Sequence, residues 1–207
     1  MTDLRMLRIA ILAGAVAWCL PAAALAQDFG VLESAETIDR GTFKLRLNPM
    51  VIFGRDGADD EIGAAAKLGY GFTDRFDLEG GVAIYDGVRF FGGDAEVWLV
   101  RDAAADVSIV GGLHFARGEN TLDTRGVDLT LLVSHHATDN LEVVGALDFA
   151  FETITENGID ESFTPIHLVP GFEYRLGEDL DLVGEVGLAL NDEGNHYLSA
   201  GLAFYFR

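Results

Sequence analysis

Cysteine is almost absent from this chain: its single thiol, Cys19, lies in an apolar run near the N-terminus. Without that run there is no cysteine, which excludes a disulfide framework, a thiolate metal site and a thiol nucleophile. Basic residues are scarce too, with 14 Lys and Arg against 34 Asp and Glu for a net charge of −20. So acidic a chain lacks the footprint that nucleic acid requires. Proline occurs only four times. Past the N-terminal run, no stretch reaches the roughly 18 consecutive apolar residues of a helical membrane span. No linker, repeat or low-complexity tract splits what remains, so it reads as one domain.

The N-terminus itself is informative. Arg5 and Arg8 precede an apolar stretch from Ile9 to about Leu20, and Ala24 and Ala26 flank Leu25. A basic flank, a short apolar core and small residues at the end predict a signal peptide over residues 1–26, cleaved after Ala26. Trp18 is too large for the small-residue position before a lipidated cysteine, so Cys19 belongs to the discarded core. Residues 27–41 are then read as a periplasmic N-terminal segment, either a tail or a piece folded into the domain that follows.

What is abundant is alternation. From Tyr197 to Phe206, Leu198, Ala200, Leu202, Phe204 and Phe206 share one face of a strand, and Tyr197, Ser199, Gly201, Ala203 and Tyr205 share the other. Ten strands of this kind are expected, at about 42–53, 62–72, 76–85, 88–100, 107–116, 126–136, 141–153, 163–175, 180–190 and 196–206. Their apolar faces, such as Phe43/Leu45/Leu47/Val51/Phe53 and Val127/Leu129/Leu131/Val133, contain no Asp, Glu or Lys. Each strand has the length of a tilted membrane strand. The expected fold is all-β: residues 42–207 form a closed antiparallel up-and-down transmembrane β-barrel of about ten strands, apolar outside and polar inside.

The turns check this phasing. Asp86-Gly87 is a two-residue hairpin signal that pairs Tyr85 with Val88, both assigned inward, and Thr73-Asp74-Arg75 pairs Phe72 with Phe76, both outward. Connections at 73–75, 101–106, 137–140 and 176–179 are short, whereas 54–61, 117–125, 154–161 and 191–195 are mostly longer and polar. Short periplasmic turns opposite long outer loops are the asymmetry of an outer-membrane barrel. Tyr70, Phe72, Phe76, Tyr174, Phe204 and Phe206 on the short-turn rim, with Phe53, Phe91, Phe115 and Phe151 toward the other, read as interfacial girdles.

Inside, counting from the turns sets Arg46, Lys67, Glu79, Glu96 and Glu185 at one depth. Mixed charges at one level of a narrow lumen should pair, giving a structural plug or a cation-preferring path. A second level holds Asp94, His114, Asp128, Asp148 and His167, an alternative polar site that is either an acid–base or divalent-metal constellation or ordinary lumen hydrogen bonding. The loop acids Asp56, Asp59, Asp60, Glu61, Glu156, Asp160 and Glu161 lack EF-hand spacing and read as solubilising. Arg89 faces outward one step beyond the Asp-Gly turn, either toward lipopolysaccharide phosphates or into solvent. His135, outward beside inward His136, reads as interfacial.

With these features the chain resembles the small bacterial outer-membrane β-barrel proteins of the porin-like superfamily. The resemblance spans Gln27 to Arg207 and is most specific at the terminal strand, where such proteins end in an aromatic read by the barrel-assembly machinery. Phe204 and Phe206 keep that spacing as the assembly signal, although Arg207 follows. The barrel is expected to be a monomer whose partners are outer-membrane lipid, lipopolysaccharide and the barrel-assembly machinery. Asp94-Ala95-Glu96 is loosely similar to one acidic couple of the omptin proteases, but no His-x-Asp or Asp-x-His spacing supplies the other. His196 and Ser199 have opposite parity, unlike the His-x-Ser pair of lipid A deacylases. The expectation is therefore a non-enzymatic outer-membrane barrel, a narrow porin-like channel or structural membrane protein with an acidic lumen and no cofactor or metal. The rival readings are an outer-membrane surface hydrolase using the Asp/His level, and a soluble lipocalin-like lipid-binding barrel with the apolar set turned inward.

Overall fold

Alternating side chains build strands whose two faces meet different surroundings, and the computed structural model closes them into a ring. It describes residues 30–31, 33–55, 58–85, 87–101, 104–118, 123–156 and 158–207. The expected signal peptide, Cys19, Asp56 and Asp86 lie outside the described residues, as does the Glu156 side chain. Eleven strands form in order: β1 (Phe43–Phe53), β2 (Glu61–Thr73), β3 (Phe76–Tyr85), β4 (Val88–Val100), β5 (Asp106–Arg117), β6 (Asp123–Thr138), β7 (Leu141–Glu156), β8 (Ile159–Phe163), β9 (Ile166–Arg175), β10 (Leu180–Ala189) and β11 (His196–Phe206). Each pairs antiparallel with its neighbours, β1 pairs with β11, and β7 pairs with both β6 and β9. The barrel thus closes with ten strands, and β8 lies outside the ring.

The eleventh strand departs from the expected loop over residues 154–161. β7 runs on past the barrel to Glu156 and returns as β8, with Thr155 opposite Asp160 and Glu156 opposite Ile159. Thr153, Ile154, Thr155 and Ile159 are β-branched and suit a strand. Gly158 has φ +80°, the left-handed backbone that a tight hairpin needs and glycine supplies at least cost. The Asn157-Gly158 dipeptide is the sequence signal for this turn.

Parity follows the expected faces on all ten ring strands. Ile62, 75% exposed, and Phe115, 59% exposed, belong to a continuous outer surface of Leu, Val, Ile and Phe. Tyr85 pairs with Val88 across the Gly87 turn and both are buried. The Phe72–Phe76 pairing is corrected: Thr73 faces Phe76, and a bulge between Gly71 and Thr73 absorbs the extra residue. Phe72 and Phe76 remain neighbours, with ring centroids 6.1 Å apart. Phe206, Phe43, Tyr70 and Phe72 continue this belt, at 5.7, 4.7 and 4.9 Å between successive rings.

The expected N-terminal segment is no tail over its described part. It runs inside the barrel from mid-lumen to the short-turn rim, and Val31, Glu33, Ser34, Ala35, Thr37 and Ile38 are buried. Five strands hold it. Val31 N–H donates to Glu185 at 3.0 Å, Arg46 Nη1 donates to the Val31 carbonyl at 3.3 Å, Ala35 N–H donates to Ser134 at 3.2 Å and Ile38 N–H donates to Asp77 at 2.6 Å. Lys67 of β2 reaches Glu33. At the rim Gly41 adopts φ +81° and turns the chain into β1, its N–H bonded to the Gly71 carbonyl at 2.8 Å.

Candidate functional site: the closed lumen

Among the described residues the lumen is the enclosed surface that could take a ligand, and its chemistry changes with depth. The chain has two lysines, Lys44 and Lys67, and both point inward with Arg46. All three stand on β1 and β2, while the other strands supply carboxylates. Near the short-turn rim, Lys44 Nζ lies 3.5 Å from Glu173, whose second oxygen accepts the Tyr205 hydroxyl at 3.1 Å.

One level deeper lies a buried ionic knot. Glu33 Oε1 accepts from Arg46 Nη2 at 2.6 Å and from Lys67 Nζ at 2.7 Å. Lys67 also contacts Asp94 at 2.7 Å and Glu79 at 3.4 Å, and Arg46 donates to Glu79. Charges buried in a narrow space persist only when paired, and removal of one partner costs several kcal/mol. The acid at the centre of this knot comes from the N-terminal segment and not from the wall. Burial favours its protonated form, but Lys67 and Arg46 outweigh that and hold the Glu33 carboxyl at about 2, below the usual carboxylate range.

The expected charge layer is thus brought together in part. Arg46, Lys67 and Glu79 meet, whereas Glu96 accepts the Ser108 hydroxyl and Glu185 accepts Val31 N–H. Glu33 and Asp94 complete the knot. Residue counting treats the wall as level, whereas barrel strands are staggered, and it leaves out the segment altogether.

The second level separates into local contacts. His114 Nδ1 lies 2.7 Å from Asp128 and Nε2 lies 3.3 Å from Glu152, in a side chain whose residue is 1% exposed. Asp148 accepts the Thr130 hydroxyl at 2.6 Å, His167 Nε2 meets the Asn195 carbonyl at 3.0 Å, and Asp94 belongs to the knot. Of the five, His114 and Asp128 make a direct polar contact, Asp148 pairs across strands with His167, and Asp94, Asp128 and Asp148 line one small cavity; Glu152 is the partner the sequence reading missed. Both ring nitrogens of His114 face carboxylates, so neither is turned to a substrate. Among the loop acids, Asp60 accepts Gly54 N–H at 3.0 Å and Asp160 the Thr155 hydroxyl at 2.6 Å, which are turn-fixing roles.

Toward the long-loop rim the lumen becomes partly apolar, with His114, Glu152 and His167 buried beside the apolar side chains. Met50, Ile52, Tyr85, Val88, Phe90 and Tyr197 are buried in one cluster, which Val31 and Ala35 of the segment extend. Tyr85 and Phe90 meet edge to face at 5.5 Å. A lumen polar along its full depth was expected, and the inward Tyr85, Val88 and Tyr197 were the residues in the pattern that signalled otherwise. Open space is correspondingly uneven. A cavity of about 1050 Å³ opens at the short-turn rim, lined by Lys44, His136, Glu142, Glu173, Asp181 and Tyr205 among others. Beside the knot only about 70 Å³ remains, room for about two waters.

No protein-family model matches the sequence, and neither does any curated protein. Solved structures do match in fold. An outer membrane channel from Pseudomonas putida F1 aligns with a TM-score of 0.58 at 10% identity, covering 83% of this chain and 98% of that one. A KdgM porin aligns at 0.47 and 13% identity over 79% and 99% of the two chains, and a de novo designed transmembrane β-barrel at 0.44 and 16% over 83% and 99%. The fold is that of the outer-membrane β-barrels.

Proposed function

We propose that this protein is an integral barrel of the bacterial outer membrane that is closed at rest by its own N-terminal segment and passes small cations when that segment leaves. The carrying observation is the Glu33 contact with Arg46 and Lys67, which plugs the lumen at mid-depth with a piece of chain whose described residues bridge to the wall backbone only at the rim, where Arg40 meets Gly71. The wall of exposed Leu, Val, Ile and Phe, with its aromatic belt, suits lipid. The short-turn rim is periplasmic in this reading, and the exposed Arg89 and Arg117, paired across β4 and β5, face lipopolysaccharide phosphates. Phe204 and Phe206 present the terminal aromatics to the assembly machinery, and the barrel works as a monomer without a cofactor.

Cation preference follows from the wall. With the segment gone, Lys44, Arg46 and Lys67 face a larger set of lumen acids, among them Asp77, Glu79, Asp94, Glu96, Glu173 and Glu185. The soluble lipid-binding alternative requires the large apolar side chains inside, and they are outside. The hydrolase alternative needs Asp94, His114, Asp128, Asp148 and His167 to act together, whereas Lys67 holds Asp94, Glu152 closes off His114 and the Asn195 carbonyl meets His167.

The test is conductance in a planar bilayer. Wild-type protein should be silent or nearly so at neutral pH, and Glu33→Lys, which turns the attraction into repulsion, should open discrete cation-selective steps. Equal conductance by both proteins would refute closure by the segment. Silence from a folded Glu33→Lys barrel would leave a structural membrane protein.

A further inference from the structure

At the short-turn mouth of the lumen, three potential ligands from separate parts of the chain converge. Glu36 comes from the N-terminal segment, His136 from the end of β6 and Glu142 from the start of β7, where it pairs directly with His136. One donor atom of each lies within 4.8 Å of the others. His136 Nε2 is 2.9 Å from Glu36 Oε1.

A cluster of this kind often does no more than hydrogen-bond to itself, and Glu142 separates the cases. The residue is only 6% exposed, yet its Oε1 has no hydrogen-bond partner among the described residues. A buried carboxylate oxygen left without a donor is costly, and a cation supplies what is missing. All three side chains also line the large cavity at this rim, which provides an entry path and room for a solvent ligand.

We propose that Glu36, His136 and Glu142 form a divalent transition-metal site that fastens the N-terminal segment to the barrel wall. One imidazole and two carboxylates match a first-row ion such as Zn²⁺, with water in the fourth position of a tetrahedron. The imidazole nitrogen argues against Ca²⁺ and Mg²⁺, which take oxygen ligands. Two carboxylates balance the 2+ charge, so the ion also relieves repulsion between Glu36 and Glu142. The donors need only close to about 3.4 Å from one another, the edge of a tetrahedron with bonds of about 2.1 Å. Because two ligands are on the wall and one is on the segment, the ion acts as a staple.

The experiment is titration of Zn²⁺ into the folded barrel, free of affinity tags, by calorimetry at neutral pH. Amide exchange at Ala35 and Ile38 is followed with and without the metal. Wild type should bind one Zn²⁺ and exchange these amides more slowly in its presence. Glu36→Gln, His136→Gln and Glu142→Gln should each weaken binding by at least about tenfold, and His135→Gln, one residue away, should not. Glu142→Asp serves as a second variant if Glu142→Gln lacks the heat-modifiable migration of a folded barrel. Absence of saturable binding by wild type, or unchanged affinity in the His136 and Glu142 variants, overturns the site. Unchanged affinity and protection in Glu36→Gln overturns the staple. Neither readout depends on whether the barrel conducts.

Discussion

Glu33 and Lys67, 34 positions apart in the chain, meet at 2.7 Å in the middle of the lumen. The same Glu33 oxygen takes Arg46 at 2.6 Å. Arg46 also reaches Glu79, and Lys67 reaches Glu79 and Asp94, so the two cations share three carboxylates, two of them from the wall. β1 and β2 carry the two cations, and the inserted segment adds a second carboxylate, beside Glu79, that both of them contact.

Glu33→Gln tests how much of the docking comes from this charge. The isosteric amide keeps the shape, and Arg46 and Lys67 retain Glu79 and Asp94, so the barrel should still form. Hydrogen bonds to a charged group contribute about 1.5–3 kcal/mol. The amides of Val31, Ala35 and Ile38, each bonded to a wall side chain, should then exchange about tenfold to hundredfold faster than in wild type. Unchanged exchange would assign the docking to the apolar contacts of Val31 and Ala35 instead.

The same contact sets a pH window. The Glu33 carboxyl sits at about 2 in the docked segment against an ordinary 4.5, because Lys67 and Arg46 outweigh the opposing effect of burial. A carboxyl lowered in the docked state contributes its full stabilisation above its free value and loses it as pH falls through the docked one. The part of the exchange protection of Val31, Ala35 and Ile38 that Glu33 carries, corrected for intrinsic rates, should hold level from about pH 7 to about pH 5 and decline between about 4.5 and 2. In Glu33→Gln the decline over that window should be lost or much reduced. A loss of protection already complete at about pH 5 would mean that another group controls docking.

Most of the wall was legible in the sequence because lipid penalises error there. An Asp, Glu or Lys on the outer face costs kilocalories per residue, so Leu129 and Leu131 could alternate only with inward residues such as Asp128 and Thr130. The Asp86-Gly87 pair likewise set the register of Tyr85 and Val88. The lumen was less legible. Glu96 and Glu185 were grouped with Arg46 by counting along strands, a method blind to stagger, and Glu33 was missed because residues 30–41 have no strand period that marks them as wall. Only the closed ring shows that this short mixed segment has nowhere to bury Val31, Ala35 and Ile38 except inside. The β7–β8 hairpin was a different kind of miss, since Asn157-Gly158 carries the same type of turn signal as Asp86-Gly87.

The outer part of the lumen is packed by two Gly–Tyr pairs, and they predict where a methyl group is not tolerated. Gly187 faces Tyr197 across β10 and β11, and Gly63 faces Tyr85 across β2 and β3. In each pair the ring lies over the glycine, so a Cβ at Gly187 or Gly63 would overlap it. Gly187→Ala and Gly63→Ala should push the rings into a cluster that Met50 and Phe90 already fill, at a cost of about 1–3 kcal/mol each. Gly145→Ala is the control, since a Cβ there meets nothing within 4 Å, and it should change stability by less than about 0.5 kcal/mol. Urea unfolding of the barrel in lipid vesicles, followed by the fluorescence of buried Trp98, measures all three. If Gly187→Ala proved as stable as Gly145→Ala, the Tyr197 ring would have another place to go, and the apolar end of the lumen would be loosely filled. A clear loss in both Gly–Tyr variants would instead mean that this end is packed like a protein core. Withdrawal of the N-terminal segment alone would then leave a constriction between Tyr85 and Tyr197, and that constriction would set the size of any ion able to pass.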